Sequence, residues 1–417
     1  MFRRRLSYSL AGVRSLAYAR TIRYVGWGFG ESLIPILIMQ LTGSFGEAGL
    51  VRSSYEVTLL LAIPVLGLLA ERMSAKWLVI IGLCIYPFVG LFYFIAGMTG
   101  LVAFVVVARG LNGIAWGLDS TGIDTYIRRM APGSTIASSF GLLDTLSNFG
   151  WLAAALAGIL LIKYFSIQAL LFLVAPTALL ALPFVLRIRK DHPALANAAK
   201  KLPLRHAYRS AIDEWKTWNS DLRLLAMLLL FTEVVVVLVE FFIPIDIYFT
   251  TGNLSLVILF TVVMGIPSLF GYLLGKIADR GEKARLAAIL CGLMALVLAA
   301  LALPLPYAVT VAGGLLIGTL VEFLSILQKS LATALTPPDH YGRLESVFSV
   351  IGGISDLAAP VMLGVALDFM GFPLLASLLA TIACFLAIVF FFHTRRGARS
   401  SLRHLRLAPP PPPERAV

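Results

Sequence analysis

Long apolar stretches separated by short polar segments run through almost the whole chain. A helix needs about 20 residues to cross a bilayer, and by that length the apolar pattern predicts twelve membrane spans. Their boundaries fall near 20–42, 48–70, 77–97, 101–123, 138–162, 166–186, 222–249, 254–277, 284–304, 306–334, 344–367 and 371–393. We therefore expect an all-α integral membrane protein.

A short motif occurs twice in this pattern, each time at the end of an apolar stretch. The segment 67–72 reads GLLAER, and 208 residues later 275–280 reads GKIADR. After a slip of one residue, the same offset aligns Glu31 with Glu240. A motif repeated in matching places of a membrane protein indicates internal duplication. The spans should form two pseudo-symmetric six-helix bundles.

The composition agrees with a bilayer protein, because 59% of the 417 residues are hydrophobic and only 13% are charged. The net charge of +12 raises the question of nucleic-acid binding. Most of the 34 Lys and Arg residues, however, lie in the N-terminus, in alternate loops and in the tail. This asymmetry is the positive-inside pattern. It predicts cytoplasmic termini and gives no indication of nucleic-acid binding.

Four segments follow from the pattern. We expect an N-terminal bundle at 1–186, a central cytoplasmic loop at 187–221, a C-terminal bundle at 222–393 and a basic, Pro-rich cytoplasmic tail at 394–417. Within the loop, apolar residues recur at helical spacing from Leu204 onward, which predicts an amphipathic helix on the membrane surface. The basic N-terminus lacks a short apolar core with a cleavage site, so the first span should remain a membrane helix.

Three motifs resemble those of the major facilitator superfamily, and the resemblance covers residues 15–395. The first is the duplicated motif at 67–72 and 275–280. The second is Arg109 followed by small residues as far as Gly117. The third, typical of drug and metabolite antiporters, is the glycine pattern of the fifth span, matched here at Gly141, Gly150 and Gly158, with Ala154 and Ala155 in place of Gly and Pro. The resemblance implies a secondary transporter and favours export.

Ionisable residues inside apolar spans are costly unless paired or hydrated, so they indicate functional positions. The predicted spans hold Glu31, Arg109, Asp144, Glu233, Glu240, Glu322, Lys329 and Asp356. The resemblance implies that the first and fourth spans line a central cavity, where Glu31 beside the Arg109 cation exchanges a proton in competition with substrate. A static ion pair between the two helices is the alternative.

Glu240 repeats Glu31 in the second half, and each acid is followed four residues later by a proline, Pro35 or Pro244. A proline there removes a helical hydrogen-bond donor and loosens the helix beside the acid, as a moving gate requires. The alternative for Glu240 is simple solvation at a helix end. Gating, proton transfer and helix packing all remain open for Asp144 and Asp356. Glu322 shares a face of the tenth span with Lys329 and is expected at the proton-coupling or substrate cavity. Arg52 and Glu56, at i and i+4, are expected to form a local pair.

The repeated motif is interpreted as a pair of gating latches. Gly67 and Gly275 begin the two copies, and the acid–base ends, Glu71-Arg72 and Asp279-Arg280, are placed to pair with a neighbouring helix in one state of the gate. Loop topology is the alternative. Two tryptophans, Trp116 and Trp151, are expected to line the substrate cavity.

A proton-coupled antiporter that exports a small organic molecule by alternating access is the expected function. The alternatives are a proton symporter that imports a metabolite and a sensor that binds without transport. The sequence has no Gly-x4-Gly-Lys-Ser/Thr loop for ATP and no nucleophile or metal-ligand cluster, so we expect neither an enzyme nor a cofactor nor a metal. The expected partners are the substrate, protons and the lipid bilayer, for a monomer in the cytoplasmic (inner) membrane.

Overall fold

The computed structural model describes residues 2–130, 136–191, 220–280, 282–303, 306–335 and 341–407. The amphipathic helix expected in the central loop and the Pro-rich end of the tail lie outside these residues. Within them the backbone forms helices joined by short turns, with no strand. Helix α15 continues to Leu407, past the boundary at 393 where the tail was expected to begin.

The described residues form fifteen α-helices, named in chain order. They are α1 (Phe2–Gly28), α2 (Ile34–Thr42), α3 (Phe45–Arg72), α4 (Ala75–Thr99), α5 (Val102–Met130), α6 (Ile136–Leu161), α7 (Ile167–Phe172), α8 (Val174–Arg187), α9 (Ser220–Val237), α10 (Ile243–Thr251), α11 (Leu254–Gly265), α12 (Gly271–Arg280), α13 (Lys283–Leu301), α14 (Tyr307–Leu335) and α15 (Tyr341–Leu407).

These helices build the twelve spans that the apolar pattern predicts. Ten described segments are long and apolar enough to cross a membrane. One of them, Val350–His393, is broken at Gly371, where φ is 71° and ψ is 172°, so it holds two spans. Helix α3 supplies the remaining span with 28 residues. The predicted fold class is confirmed.

The first span begins earlier than predicted. The apolar pattern placed its start near residue 20, because Arg14 and Arg20 interrupt the preceding stretch. In the structure, the helical turns before that point already pack into the core, with Leu16 and Ala17 fully buried. Arg14 lies on the exposed face of the same turns. The helix therefore extends with Arg14 facing outward, and a linear count of apolar residues does not show which face a residue occupies.

The two ends of the bundle differ in chemistry. At one end, here named the turn end, helices α2, α4 and α10 stop at Gly43, Gly100 and Gly252, each with a positive φ. Glycine adopts this left-handed conformation without strain and so terminates a helix sharply. The opposite end, here named the basic end, carries the exposed side chains of Arg72 and Arg128.

The two halves meet through α3 against α15 and through α6 against α11. Hydrogen bonds join them at the turn end. The carboxylate of Asp368 on α15 accepts from the backbone N–H groups of Phe45 (2.9 Å) and Gly46 (2.8 Å) at the start of α3. The side-chain amide of Gln40 donates to the Tyr248 hydroxyl at 3.1 Å. A carboxylate at a helix N-terminus is favoured by the unpaired N–H groups there, so Asp368 holds this end together.

Candidate functional site

A cavity of about 330 Å³ lies between the halves. Its charged lining residues are all glutamates: Glu31 from the first half, and Glu240 and Glu322 from the second. Trp151 and Met264 add apolar surface, and Asn148 adds an amide. An apolar cavity with a few polar groups at a bundle interface is where a small molecule binds, and the acids favour a positive charge.

Glu31 lies at a break in the first span. The helix changes there to a 3₁₀ turn, Glu31–Leu33, before α2 begins. Pro35 stands four residues after Glu31 and has no N–H for the glutamate carbonyl, which instead accepts from Ile34. The side chain of Glu31 is exposed to the cavity and accepts a hydrogen bond from the Trp151 indole nitrogen at 2.7 Å. The break thus aims a carboxylate at the space between the halves.

Glu240 occupies the equivalent position in the second half. It lies in a π-helical turn, Leu238–Phe242, and Pro244 follows four residues later. Single π turns inside α-helices are often found at functional sites. The Glu240 side chain is exposed where it lines the cavity. Pseudo-symmetry therefore extends from the sequence motif to the local backbone break and to the cavity that both acids face.

A second pocket of about 200 Å³ lies within the first half and meets the cavity at Glu31, which lines both. Its charged residues are Arg23, Arg52, Arg109, Glu31 and Glu56. The expected proximity of Glu31 to Arg109 is present, yet no ion pair joins these two described residues. Arg109 instead donates to the carbonyl of Arg52 at 3.2 Å and lies 4.8 Å from the Tyr55 ring centre.

The expected local pair of Arg52 and Glu56 is also not formed. The guanidinium of Arg52 lies 5.6 Å from the ring centre of Phe241 in the other half, while Glu56 is buried. The i, i+4 rule describes exposed helix faces, where two long side chains meet in solvent. Helix α3 instead packs against α15, so contacts with neighbouring helices determine where its charged side chains lie.

A buried ion pair under this pocket was missed by sequence reasoning. Arg23 on α1 and Asp119 on α5 approach to 2.9 Å, with 4% and 3% of their side chains exposed. Arg23 also donates to the Tyr86 hydroxyl at 3.1 Å. Both residues lie near the ends of predicted spans, where charge is expected to be solvated. The sequence did hold one signal for this pair: the two opposite charges lie near the ends of the first and fourth spans that are on the same side of the membrane.

The other predicted site residues divide between the two compartments and the periphery. Glu322 and Trp151 line the cavity, and Trp116 lines the first-half pocket. Asp144 lines neither of these compartments, and its largely exposed carboxylate pairs with the mostly buried Arg20 at 3.4 Å. Asp356, half-buried, neighbours Glu233.

The repeated motif lies at the basic end. Gly67 is exposed, and a Cβ placed on it meets no atom within 4 Å. Gly275 has similar space, with Ile326 at 4.0 Å. The Arg72 side chain is exposed. The side chains of Glu71, Asp279 and Arg280 lie outside the described residues, so the latch pairs stay predictions.

A polar network beside the first motif copy was not predicted. Asp191, just after α8, accepts from the Ser74 hydroxyl and from the Arg129 guanidinium, the latter at 2.7 Å. Arg129 also donates to the carbonyl of Ala70 at 2.6 Å. Burial by itself raises the pKa of Asp191, but the hydrogen bonds from Ser74, Arg129 and the backbone outweigh it and hold the pKa below its ordinary value. The network ties together the basic ends of the second, third, fourth and sixth spans.

Among curated proteins, the chain is similar in sequence to proteins named for efflux or drug resistance. The multidrug efflux protein YfmO of Bacillus subtilis (strain 168) is 27% identical over 201 residues, which is 46% of this chain and 46% of that protein. The quinolone resistance protein NorA of Staphylococcus aureus (strain Mu50 / ATCC 700699) is 23% identical over 129 residues, 31% of this chain and 32% of that protein. The matches thus span less than half the length of these relatives.

Comparison with solved structures gives transporters. The nucleoside transporter NupG superposes with a TM-score of 0.71 at 16% identity, covering 91% of this chain and 98% of that one. A D-xylose-proton symporter superposes with a TM-score of 0.68 at 15% identity, covering 92% and 97%. At such identities the likeness shows the fold alone.

The sequence as a whole matches one family. The model of the Major Facilitator Superfamily covers residues 16–360, a range that includes both copies of the repeated motif and both glutamates at the helix breaks. The chain therefore belongs to the Major Facilitator Superfamily and is a multi-pass membrane transporter.

Proposed function

We propose that this protein exports an organic molecule bearing a protonated amine, in exchange for protons, by alternating access. The observation that carries the proposal is the cavity between the halves, whose three charged lining residues are Glu31, Glu240 and Glu322. A carboxylate in such a site holds either a proton or a cation. Competition for one carboxylate couples the two flows in opposite directions.

Glu31 is the acid that we assign to this exchange. It is exposed to the cavity, and its hydrogen bond from Trp151 orients the carboxylate without neutralising it. An aromatic ring beside the acid also suits an organic cation, through apolar contact and cation–π attraction. Glu240 and Glu322 face Glu31 from the second half and supply further negative potential for the amine.

The alternating-access step follows from the contacts between the halves. Asp368 and the start of α3 hold the turn end together in this structure. The positive-inside pattern places the basic end, with both termini, in the cytoplasm. This state then receives substrate from the cytoplasm, as export requires. We assign the latches at Glu71-Arg72 and Asp279-Arg280 to the opposite state, in which the basic end closes.

Each of the four segments predicted from the sequence has a place in this transport scheme. Residues 1–186 and 222–393 are the moving halves, joined by the loop at 187–221, with the tail at 394–417 on the same face as the loop. One chain carries a complete cavity, so a monomer in the cytoplasmic membrane is sufficient for transport. No step in this scheme makes or breaks a covalent bond of the substrate.

The names of the relatives bear on the direction of transport. YfmO is named as a multidrug efflux protein and NorA as a quinolone resistance protein, which supports export. The second candidate is import by proton symport, which the likeness to a D-xylose-proton symporter supports. The acidic cavity favours the first candidate, because three glutamates attract a cation by charge, whereas a neutral sugar gains only hydrogen bonds from them.

Purified protein in liposomes tests the proposal. Ethidium, a permanent organic cation, is trapped on one side and a pH gradient is imposed. We expect ethidium to move toward the acidic side against its own gradient, and ethidium to dissipate the pH gradient. Movement of ethidium together with protons supports the symporter. Binding of ethidium without flux contradicts transport of this probe and leaves the sensor. Protein-free liposomes with the same gradient are the control.

A further inference from the structure

The pocket in the first half holds two guanidinium groups without a carboxylate partner. Arg52 and Arg109 both line it, and neither forms an ion pair with a described carboxylate. The Nη1 atom of Arg52 and the Nε atom of Arg109 are buried and have no hydrogen-bond partner. A buried charged donor without a partner is costly, so binding of a hydrogen-bond acceptor beside these groups is favourable.

Glu56, Glu240 and Asp356 are the acids nearest to Arg52, but none of them forms an ion pair with it. Glu31 accepts a hydrogen bond from the Trp151 indole and forms no ion pair with either guanidinium. The third arginine of the pocket, Arg23, is already paired with Asp119. Glu56 lines the pocket without an ion pair to either free guanidinium. The unpaired positive charge is therefore confined to Arg52 and Arg109.

The way in which the two arginines are held leaves room for a ligand. Arg52 lies over the ring of Phe241, and Arg109 lies over the ring of Tyr55. Stacking on an aromatic ring occupies the face of a guanidinium and leaves its N–H edge free. That edge matches the two oxygens of a carboxylate. Phe241 belongs to the second half, so one contact of this pocket depends on the position of that half.

The pocket and the acidic cavity are adjacent, because Glu31 belongs to the lining of both. A molecule that spans this boundary meets glutamates on one side and arginines on the other. A zwitterion adds no net charge to the combined site, whereas a simple cation leaves both arginines unpaired.

We propose that the two compartments bind one zwitterionic substrate, with its protonated amine beside Glu31 and Glu240 and its carboxylate between Arg52 and Arg109. The inference rests on the proposed function for the amine and extends it to a second, acidic group of the substrate. It restricts the substrate class to amphoteric organic molecules, in which both charges are within the length of the two adjacent compartments.

Paired probes test the proposal. Norfloxacin, 4-(aminomethyl)benzoate and phenylalanine each carry an amine and a carboxylate, and the methyl ester of each keeps only the amine. Binding of the six compounds and of ethidium is measured on the purified full-length protein. Hydrogen bonds to charged groups are strong enough that at least one acid should bind about 10-fold or more tightly than its ester. If ethidium binds and no acid binds more tightly than its ester, the proposal is overturned.

Variants assign the effect to the two arginines. Arg52→Gln and Arg109→Gln should each reduce the acid-to-ester affinity ratio to about 1, since the carboxylate loses a charged partner. Lysine at either position should keep part of the preference, because charge survives without the forked geometry. Ester binding reports whether each variant is folded. Arg14→Gln, an exposed change on the helix that carries Arg23, is the matched control and should leave the ratio unchanged. An unchanged ratio in both Gln variants overturns the assignment.

Two further results distinguish failure of the zwitterion proposal from failure of the proposed function. The binding series is repeated in chloride and in gluconate at equal ionic strength. Chloride should weaken binding of the acid by competing at the arginines; if chloride instead tightens binding of the ester to the level of the acid, the arginines bind a free inorganic anion and the proposal is wrong. If ethidium and all three esters fail to bind, the proposed function itself fails.

Discussion

The two halves of the chain hold buried charge in different ways. In the first half, charged residues form ion pairs: Arg23 with Asp119, Arg20 with Asp144, and Arg129 with Asp191. In the second half, four carboxylates inside the spans form no ion pair with a described residue: Glu233, Glu240, Glu322 and Asp356. Their helices are related by the repeat, so the difference reflects what each half has kept for structure and what it presents to the cavity.

This difference suggests a division of roles. Ion pairs within the first half lock its helices to one another and leave Arg52 and Arg109 as its free charges facing a pocket. The unpaired acids of the second half can hold protons or a cationic ligand without first breaking an ion pair. Glu31 and Glu56 are also unpaired acids of the first half, and of these two only Glu31 lines the same cavity as Glu240 and Glu322.

The largest expected effect comes from replacing Glu31. Glu31→Gln should abolish pH-driven flux, since the amide cannot carry the exchanged proton, while substrate counterflow without a gradient is retained in part. Both fluxes are measured in the same liposomes. Asp144→Asn is the matched control, because Asp144 is an acid of the same half that lines neither compartment. Full gradient-driven transport by the Glu31 variant would show that another group carries the proton.

A large loss of stability should follow when the buried pair is broken. Asp119→Asn leaves Arg23 charged in a site where 4% of its side chain is exposed, and such an uncompensated charge costs about 3–5 kcal/mol. Asp144→Asn removes one partner of a pair whose carboxylate is 59% exposed, which costs about 0–1 kcal/mol. Thermal unfolding in detergent compares the two. Equal losses would mean that the first half does not depend on the buried pair.

A smaller, pH-dependent loss is expected at the basic end. Asp191 has a pKa below its ordinary value, so its network contributes stability above the unfolded pKa of about 3.9 and loses it as pH falls through the folded pKa. Asp191→Asn should therefore cost about 1.5–3 kcal/mol at pH 7, with the difference from wild type narrowing below about pH 4. Melting temperatures at both pH values test this. A gap that stays constant with pH would exclude charge as the cause.

The smallest effect concerns the unpaired acids. Glu322→Gln should weaken ethidium binding by about 10-fold, equivalent to about 1.4 kcal/mol, and leave the melting temperature near that of wild type because no ion pair is broken. Fluorescence titration and thermal unfolding are run on the same sample. A marked loss of stability with unchanged affinity would place Glu322 among the structural charges and remove the contrast between the halves.

The sequence predicted most of the architecture, because apolar length and the positive-inside pattern are properties of the chain itself. Glu31 and Glu240, to which the repeat and the prolines at 35 and 244 point, both line the cavity, and their roles there stay predictions. The errors of the sequence-based prediction concern side-chain partners. Trp151 lies 120 residues from Glu31, and Asp191 lies 117 residues from Ser74. Partners so distant are fixed by how helices pack and rotate, which periodicity does not specify.

The Arg52–Glu56 error has the same origin. The i, i+4 spacing on one helix predicted a local ion pair. In the structure, α3 packs against the other half, and Arg52 lies over the ring of Phe241. The missed pair of Arg23 and Asp119 shows the complementary limit. Span boundaries counted from hydropathy placed both residues near helix ends, and only the extended first helix shows that they are buried.

Proton release on substrate binding tests the central claim most directly. Purified protein in weakly buffered detergent solution near neutral pH is mixed with ethidium, and a pH indicator counts the protons released. Competition at Glu31 predicts that binding releases protons, approaching about one per substrate as the acid is more fully protonated, and that Glu31→Gln binds without release. Proton uptake on binding, or the same release from the Glu31 variant, would contradict exchange of proton and cation at this carboxylate.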